Sequence, residues 1–174
     1  MSYRRAWQPG GTWFFTVNLQ QRRNNGLLVE HIDHLRDAVR MVKNIHPFTI
    51  HGWVVLPEHL HCILELPEND SDFPLRWRLI KLLFSRSLPA TEFRGAIRKK
   101  RGERGIWQRR YWEHLICNDA DFAAHMDYVH INPVKHGLVK RVVDWPFSTF
   151  HRLVDQGVYS ADWAGGVIDL PYHD

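Results

Sequence analysis

The chain has 174 residues, 44% of them hydrophobic and 24% charged, which suits one folded domain over 1–174 with a real apolar core. No apolar run approaches the roughly 20 residues that cross a bilayer, and Met1-Ser2-Tyr3-Arg4-Arg5 does not open a secretory signal, so a membrane partner is excluded and a cytoplasmic location expected. The two cysteines, Cys62 and Cys117, form no CxxC pair, which argues against a disulfide framework or a cysteine zinc site; both thiols are expected to be reduced and buried.

After a Pro9-Gly10-Gly11 turn, residues 12–20 alternate Trp13, Phe15, Val17 and Leu19 with Phe14, Thr16 and Asn18, the period of a strand. From 31 to 45 the apolar residues Ile32, Leu35, Val39 and Val42 recur at steps of three and four, predicting an amphipathic helix that Pro47 ends. Residues 48–56 and 59–66 read as two strands joined at Pro57-Glu58, a hairpin. A second helix is predicted over 73–88, with Phe73, Trp77, Ile80, Phe84 and Leu88 on one face and Arg76, Arg78, Lys81 and Arg86 largely elsewhere.

Residues 94–110 then hold eight of the 23 basic residues (Arg94, Arg98, Lys99, Lys100, Arg101, Arg104, Arg109 and Arg110) against one acid, Glu103. That window carries +7 and the rest of the chain −3, so the positive charge is local. A stripe of like charges without acidic partners repels itself, which favours a polyanion-binding surface over a solvated loop. A fourth apolar run, 111–117, leads to a third helix with Asn118 or Asp119 as N-cap, running through Phe122, His125 and Tyr128 until Pro133. The order strand, helix, strand, strand, helix, strand predicts an α+β, ferredoxin-like fold (split βαβ), an antiparallel sheet with helices on one face. The third helix and a turn-rich C-terminal extension are additions to it.

His59 and His61 stand two apart on a predicted strand, so their imidazoles leave the same face at a spacing that can bind a metal, while Leu60 and Cys62 turn to the core. On the third helix, His125, Tyr128 and Asn132 share roughly one face, with Phe122, Met126 and Val129 available to the sheet. Read alone, Tyr128 is a buried ring with a solvated hydroxyl, and Asn132 a helix C-cap before Pro133. If that helix packs across the hairpin, the same residues complete a site of two imidazoles, one amide oxygen and one phenol.

Tyr3-Arg4-Arg5, Pro9-Gly10-Gly11-Thr12, Leu56-Pro57-Glu58-His59-Leu60-His61, the stretch from Ile106 to His114, Asp144-Trp145-Pro146-Phe147-Ser148 and above all Tyr128-Val129-His130-Ile131-Asn132-Pro133-Val134-Lys135-His136-Gly137 resemble the REP-associated tyrosine transposases, which are single-tyrosine HUH transposases. The resemblance covers nearly the whole chain. It implies a nuclease domain in which His59 and His61 bind a divalent metal, Mg or Mn, and Tyr128 attacks a DNA phosphate. Imidazoles alone would favour Zn, Fe, Ni or Cu. Asn132 matches the place of a third ligand that is often Gln in related enzymes, and the shorter Asn reaches less far. Lys135 and His136 are candidates to assist the phenol or to contact phosphate.

The implied substrate is single-stranded DNA whose imperfect palindromes fold into hairpins. Arg98, Lys99, Lys100, Arg101, Arg104, Arg109 and Arg110 would grip hairpin phosphates, Arg4 and Arg5 would read bases, and Trp107 and Trp112 offer stacking faces or core packing. A monomer is expected, with a dimer as the alternative. Two rival readings stand beside this one: a metal-dependent nuclease activating water with His59, His61 and either His114 or His130, and a non-catalytic nucleic-acid-binding module.

Overall fold

The structure, a computed structural model, describes residues 8–92 and 94–163; Arg4 and Arg5 lie outside them. The elements are β1 Thr12–Asn18, α1 Leu27–Glu30, α2 Ile32–Ile45, β2 Thr49–Val55, β3 His59–Glu65, α3 Phe73–Ser87, α4 Ala96–Lys100, β4 Trp112–Leu115, α5 Asp119–Lys135, a 3-10 turn Val142–Asp144 and α6 Phe150–Asp155. The strands form one antiparallel sheet in the order β2-β3-β1-β4, the ferredoxin-like arrangement that the element order predicts. Among the described residues no helix is long and apolar enough to cross a membrane.

Both faces of this sheet are buried: α2 and α3 cover one, as expected, and the added helix α5 covers the other. Trp13, Phe15 and Val17 of β1, with Leu60, Cys62 and Leu64 of β3, pack on Leu35, Ala38 and Val42 of α2 and Phe73, Trp77, Ile80 and Phe84 of α3. The alternate residues Phe14, Val54 and Ile63 meet Met126, Tyr128 and Val129 of α5 on the other side. With a side-chain period of two, His59 and His61 fall on the α5 side. Gly52, at a register shift in β2, lets the helix come close, because a Cβ there would sit 2.9 Å from Met126 Sδ.

The N-terminus of α5 is capped as expected, Asn118 Oδ1 accepting the Asp121 N–H at 2.9 Å. Its C-terminus is not where Pro133 suggested. The helix runs through Pro133 to Lys135 and closes where Leu138 N donates to Pro133 O and Gly137 N to Val134 O, both 2.9 Å, with Gly137 at φ +70°. That is a Schellman closure, which needs the left-handed conformation glycine adopts without strain. Asn132 is therefore an interior helical residue and not a C-cap.

Two further expectations change. Arg76 is 1% exposed; its guanidinium binds Asp70 Oδ2 at 2.7 Å and the carbonyls of His46, Pro47 and Asp72, so it braces the start of α3 instead of adding to a basic outer face. Cys62 is buried, but Cys117 is exposed. The C-terminal extension completes the sheet edge: Val55 N donates to Phe147 O and Thr149 N to Trp53 O, protecting β2 from stray pairing.

Candidate functional site

The hairpin β2-β3 and helix α5 build the site. Side chains of His59 and His61 are fully buried, with ring centroids 4.9 Å apart at 85°. Each ring is held by its Nδ1: His61 bonds Thr16 Oγ1 of the neighbouring strand at 2.8 Å, and His59 bonds Glu58 Oε1 at 2.9 Å. Glu58 also pairs with Arg22 at 3.4 Å. Burial works against the Glu58 carboxylate, yet the hydrogen bond and charge of His59, with Arg22, hold its pKa below the ordinary value. An imidazole whose Nδ1–H donates to a carboxylate or hydroxyl presents Nε2 as the ligand atom, the usual outer support of a metal-bound histidine. Sequence reasoning missed Thr16 and Glu58; the alternation that puts Thr16 beside His61, and the adjacency of Glu58 to His59, were the available signals.

Tyr128 is 2% exposed, its ring 5.2 Å from that of His61 at 72°. Lys135 Nζ lies 4.9 Å above the Tyr128 ring, and the His136 ring meets His59 edge-on at 5.2 Å. One turn after Tyr128, Asn132 is buried and donates Nδ2–H to the Tyr128 carbonyl at 2.7 Å. Its Oδ1, like His59 Nε2, is a buried polar atom with no hydrogen-bond partner among the described residues. Such atoms are costly unless something else satisfies them. Imidazole nitrogens with an amide oxygen are a donor set for a divalent cation, so these residues fit the metal that the resemblance implies.

Tyr159 is a poor alternative to Tyr128. Its hydroxyl donates to Asp127 Oδ1 at 2.7 Å, and burial, with the Asp127 bond and charge, pushes its pKa well up.

The two other histidines of the rival hydrolase stand apart from this centre. His130 uses both nitrogens internally, Nδ1–H donating to Met126 O at 2.7 Å and Nε2 accepting from the Thr149 hydroxyl at 2.8 Å. Burial, with the charge of Arg152, pushes its pKa down to about 4. The folded chain thus keeps His130 neutral while the unfolded chain protonates it below its ordinary value. Its contribution to stability is present above that value and lost as pH falls toward about 4. We expect denaturation experiments to show a loss of about 3 kcal/mol from this group between pH 7 and pH 4. The loss should be absent in His130→Gln; equal pH slopes in the two proteins would refute the assignment.

His114, Asp121 and His125 bring three ligand-type atoms within 4.8 Å. Asp121 gives one oxygen to His114 Nε2 at 2.9 Å and the other to His125 Nδ1 at 3.0 Å, while the two rings stack at 4.7 Å and 14°. Stacked, nearly parallel rings do not both contain one ion in their planes, so the carboxylate clamp accounts for this cluster better than a metal.

The basic segment divides. Arg98, Arg101 and Arg109 join Arg78, Lys81, Arg86 and Arg94 around an open groove of about 1150 Å³ on the α3 side of the sheet. Lys99, Lys100 and Arg110 are exposed. Arg104, expected to bind DNA, is turned inward: its donors go to both Glu92 oxygens and the carbonyls of Ser85, Leu88 and Pro89. Arg104 accordingly lowers the Glu92 pKa to about 2. Two of its charges have acidic partners: Arg109 pairs with Glu103, the window's one acid, at 2.6 Å, and Arg104 with Glu92 from outside the window.

No protein-family model matches the chain. The REP-associated tyrosine transposase of Escherichia coli (strain K12) is 53% identical over 168 residues, covering 97% of this chain and 93% of the relative. A Haemophilus influenzae relative bearing the same family name is 44% identical over 166 residues, 94% of this chain and 93% of that protein. A solved structure of a REP-associated tyrosine transposase bound to a REP hairpin superposes with a TM-score of 0.86 at 51% identity, covering 98% of this chain and 95% of that one.

Proposed function

The chain belongs to the REP-associated tyrosine transposases, a family of DNA-processing enzymes, and we propose that it cuts and rejoins single-stranded DNA at hairpin-forming palindromes through a covalent link to Tyr128. The observation that carries this reading is the meeting of Tyr128 with His61 at 5.2 Å between α5 and β3. A phenol held against a strand that carries two imidazoles supports the role of nucleophile over that of a surface aromatic. The reading takes residues 1–174 as one HUH-type domain, monomeric and cytoplasmic, and hairpin recognition is supported by the hairpin held in the related structure.

In the proposed reaction the Tyr128 oxygen attacks the scissile phosphorus, the bond to the 3′-oxygen breaks, and the products are a 5′-phosphotyrosine and a free 3′-hydroxyl. A later 3′-hydroxyl attacks the same phosphorus and releases Tyr128, so strands are exchanged without an external energy source. His59, His61 and Asn132 would hold the divalent metal, Mg or Mn, which when bound supplies Lewis acidity to the phosphate and the leaving oxygen. Lys135, above the Tyr128 ring, favours the negative charge the phenol gains as it loses its proton. The walls of Tyr128, Phe14 and His61 keep water from the linkage. Arg98, Arg101 and Arg109 in the groove, with Lys99, Lys100 and Arg110 outside it, supply positive charge for hairpin phosphates.

The test is incubation of the protein with a labelled hairpin oligonucleotide bearing a single-stranded flank, in Mg or Mn. A denaturant-resistant adduct is expected, absent with EDTA and absent in Tyr128→Phe, which should still bind the hairpin. Cleavage without adduct, retained in Tyr128→Phe, would assign the chemistry to activated water instead. Binding indifferent to EDTA without cleavage would leave a binding module.

A further inference from the structure

We infer that Trp112 is the stacking platform for the unpaired base beside the scissile phosphate, and so steers the single strand from the hairpin groove into the site. The inference deepens the strand-cleavage reading above and rests on it. Cross-strand partners share a face of the sheet, and Thr16 is the partner of both His61 and Trp112. The Thr16–His61 bond confirms the shared side. Val54, His61, Thr16 and Trp112 therefore form one row across the sheet, on the side of Tyr128. Two strand spacings, roughly 10 Å, separate Trp112 from His61 along that row.

Helix α5 packs on the β2 and β3 end of the row. At the other end Trp112 is 52% exposed, where Trp13 and Trp77 are 1%. Trp107 is less exposed than Trp112, with its ring against Phe84 at 5.4 Å, and offers less surface to a base. The neighbour of Trp112, Tyr111, points through the sheet the other way, packs on Phe15 and Trp77, and lines the basic groove. β4 is an edge strand, so groove and catalytic row meet around its margin. A strand leaving the groove passes the indole before it reaches Tyr128. An indole face takes any base, so this platform orders the strand without reading its sequence.

The experiment uses the Tyr128→Phe chain, which leaves DNA uncut, and hairpin oligonucleotides with 2-aminopurine at successive flank positions. Quenching is expected at one flank position and should vanish with Trp112→Ala. Affinity for the flanked hairpin should fall about five- to 150-fold, the equivalent of one stacked base. Trp112→Phe should restore most of both signals, and the hairpin without its flank should bind all variants alike. If the otherwise native chain forms the covalent adduct while Trp112→Ala keeps flank affinity and quenching, the platform is wrong and the cleavage reading stands. A chain that forms no adduct with any hairpin overturns both.

Discussion

Replacing His59 or His61 by alanine is expected to lower the single-turnover rate of adduct formation by about 1000-fold or more, the several kcal/mol that a metal supplies to phosphate chemistry. Hairpin affinity should be unchanged, because the groove residues lie on the other side of the sheet. Glu58→Gln tests the arrangement more finely. Glu58 makes no proposed contact with the metal, but it holds the His59 ring through Nδ1. Its loss should weaken metal affinity or rate by about 10- to 100-fold, as for other outer partners of ligand histidines. Raised Mn should restore Glu58→Gln and should not restore His59→Ala. Calorimetric titration with Mn gives the affinity, and gel quantification of adduct gives the rate. If His59→Ala binds Mn and forms adduct like the unaltered chain, the imidazole pair is not the metal centre.

Much of this centre was legible in local pattern. Two histidines on a strand share a face because side chains alternate, and a tyrosine and an asparagine four apart share a helix face; both rules depend only on neighbouring residues. The N-cap at Asn118 belongs to the same class. What the pattern did not contain was which layer the helix covers. β1 reads as apolar residues alternating with Phe14, Thr16 and Asn18, a semi-polar face that passes for solvent-exposed. In the fold Phe14 is core, and Thr16 bonds a histidine 45 positions away. Arg76 and Arg104 misled for a similar reason: their partners are mostly backbone carbonyls, which leave no mark on composition. Pro133 misled because a proline signals an end only when the chain beyond it lacks a better one, and Gly137 was that better end.

Phe14 ties the second core layer to the proposed catalytic centre, and its truncation should be the most damaging single change outside the proposed ligands. Its ring stacks on His61 at 5.8 Å and 15°, meets Tyr128 edge-on at 5.8 Å, and touches His125 at 4.9 Å, while being 0% exposed. Phe14→Ala removes a buried aromatic and leaves a cavity, at a cost of about 3–5 kcal/mol. For a chain of this length that is a fall in Tm of about 10 °C. The kinetic effect should exceed what the unfolded fraction explains. With the ring gone, Tyr128 and His61 lose their common wall, and a displacement of about 1 Å between nucleophile and phosphate costs on the order of 100-fold in rate. Phe14→Leu, which refills most of the volume, should recover most of the stability and less of the rate, because it restores bulk without the flat contact against His61. Adduct rates are to be compared well below the Tm of the weakest variant, with circular dichroism confirming that each is folded. A folded Phe14→Ala protein that forms adduct at the unaltered rate would show that Tyr128 is positioned by α5 alone, through the Asn118 cap and the Gly137 closure, with no part played by the sheet beneath it.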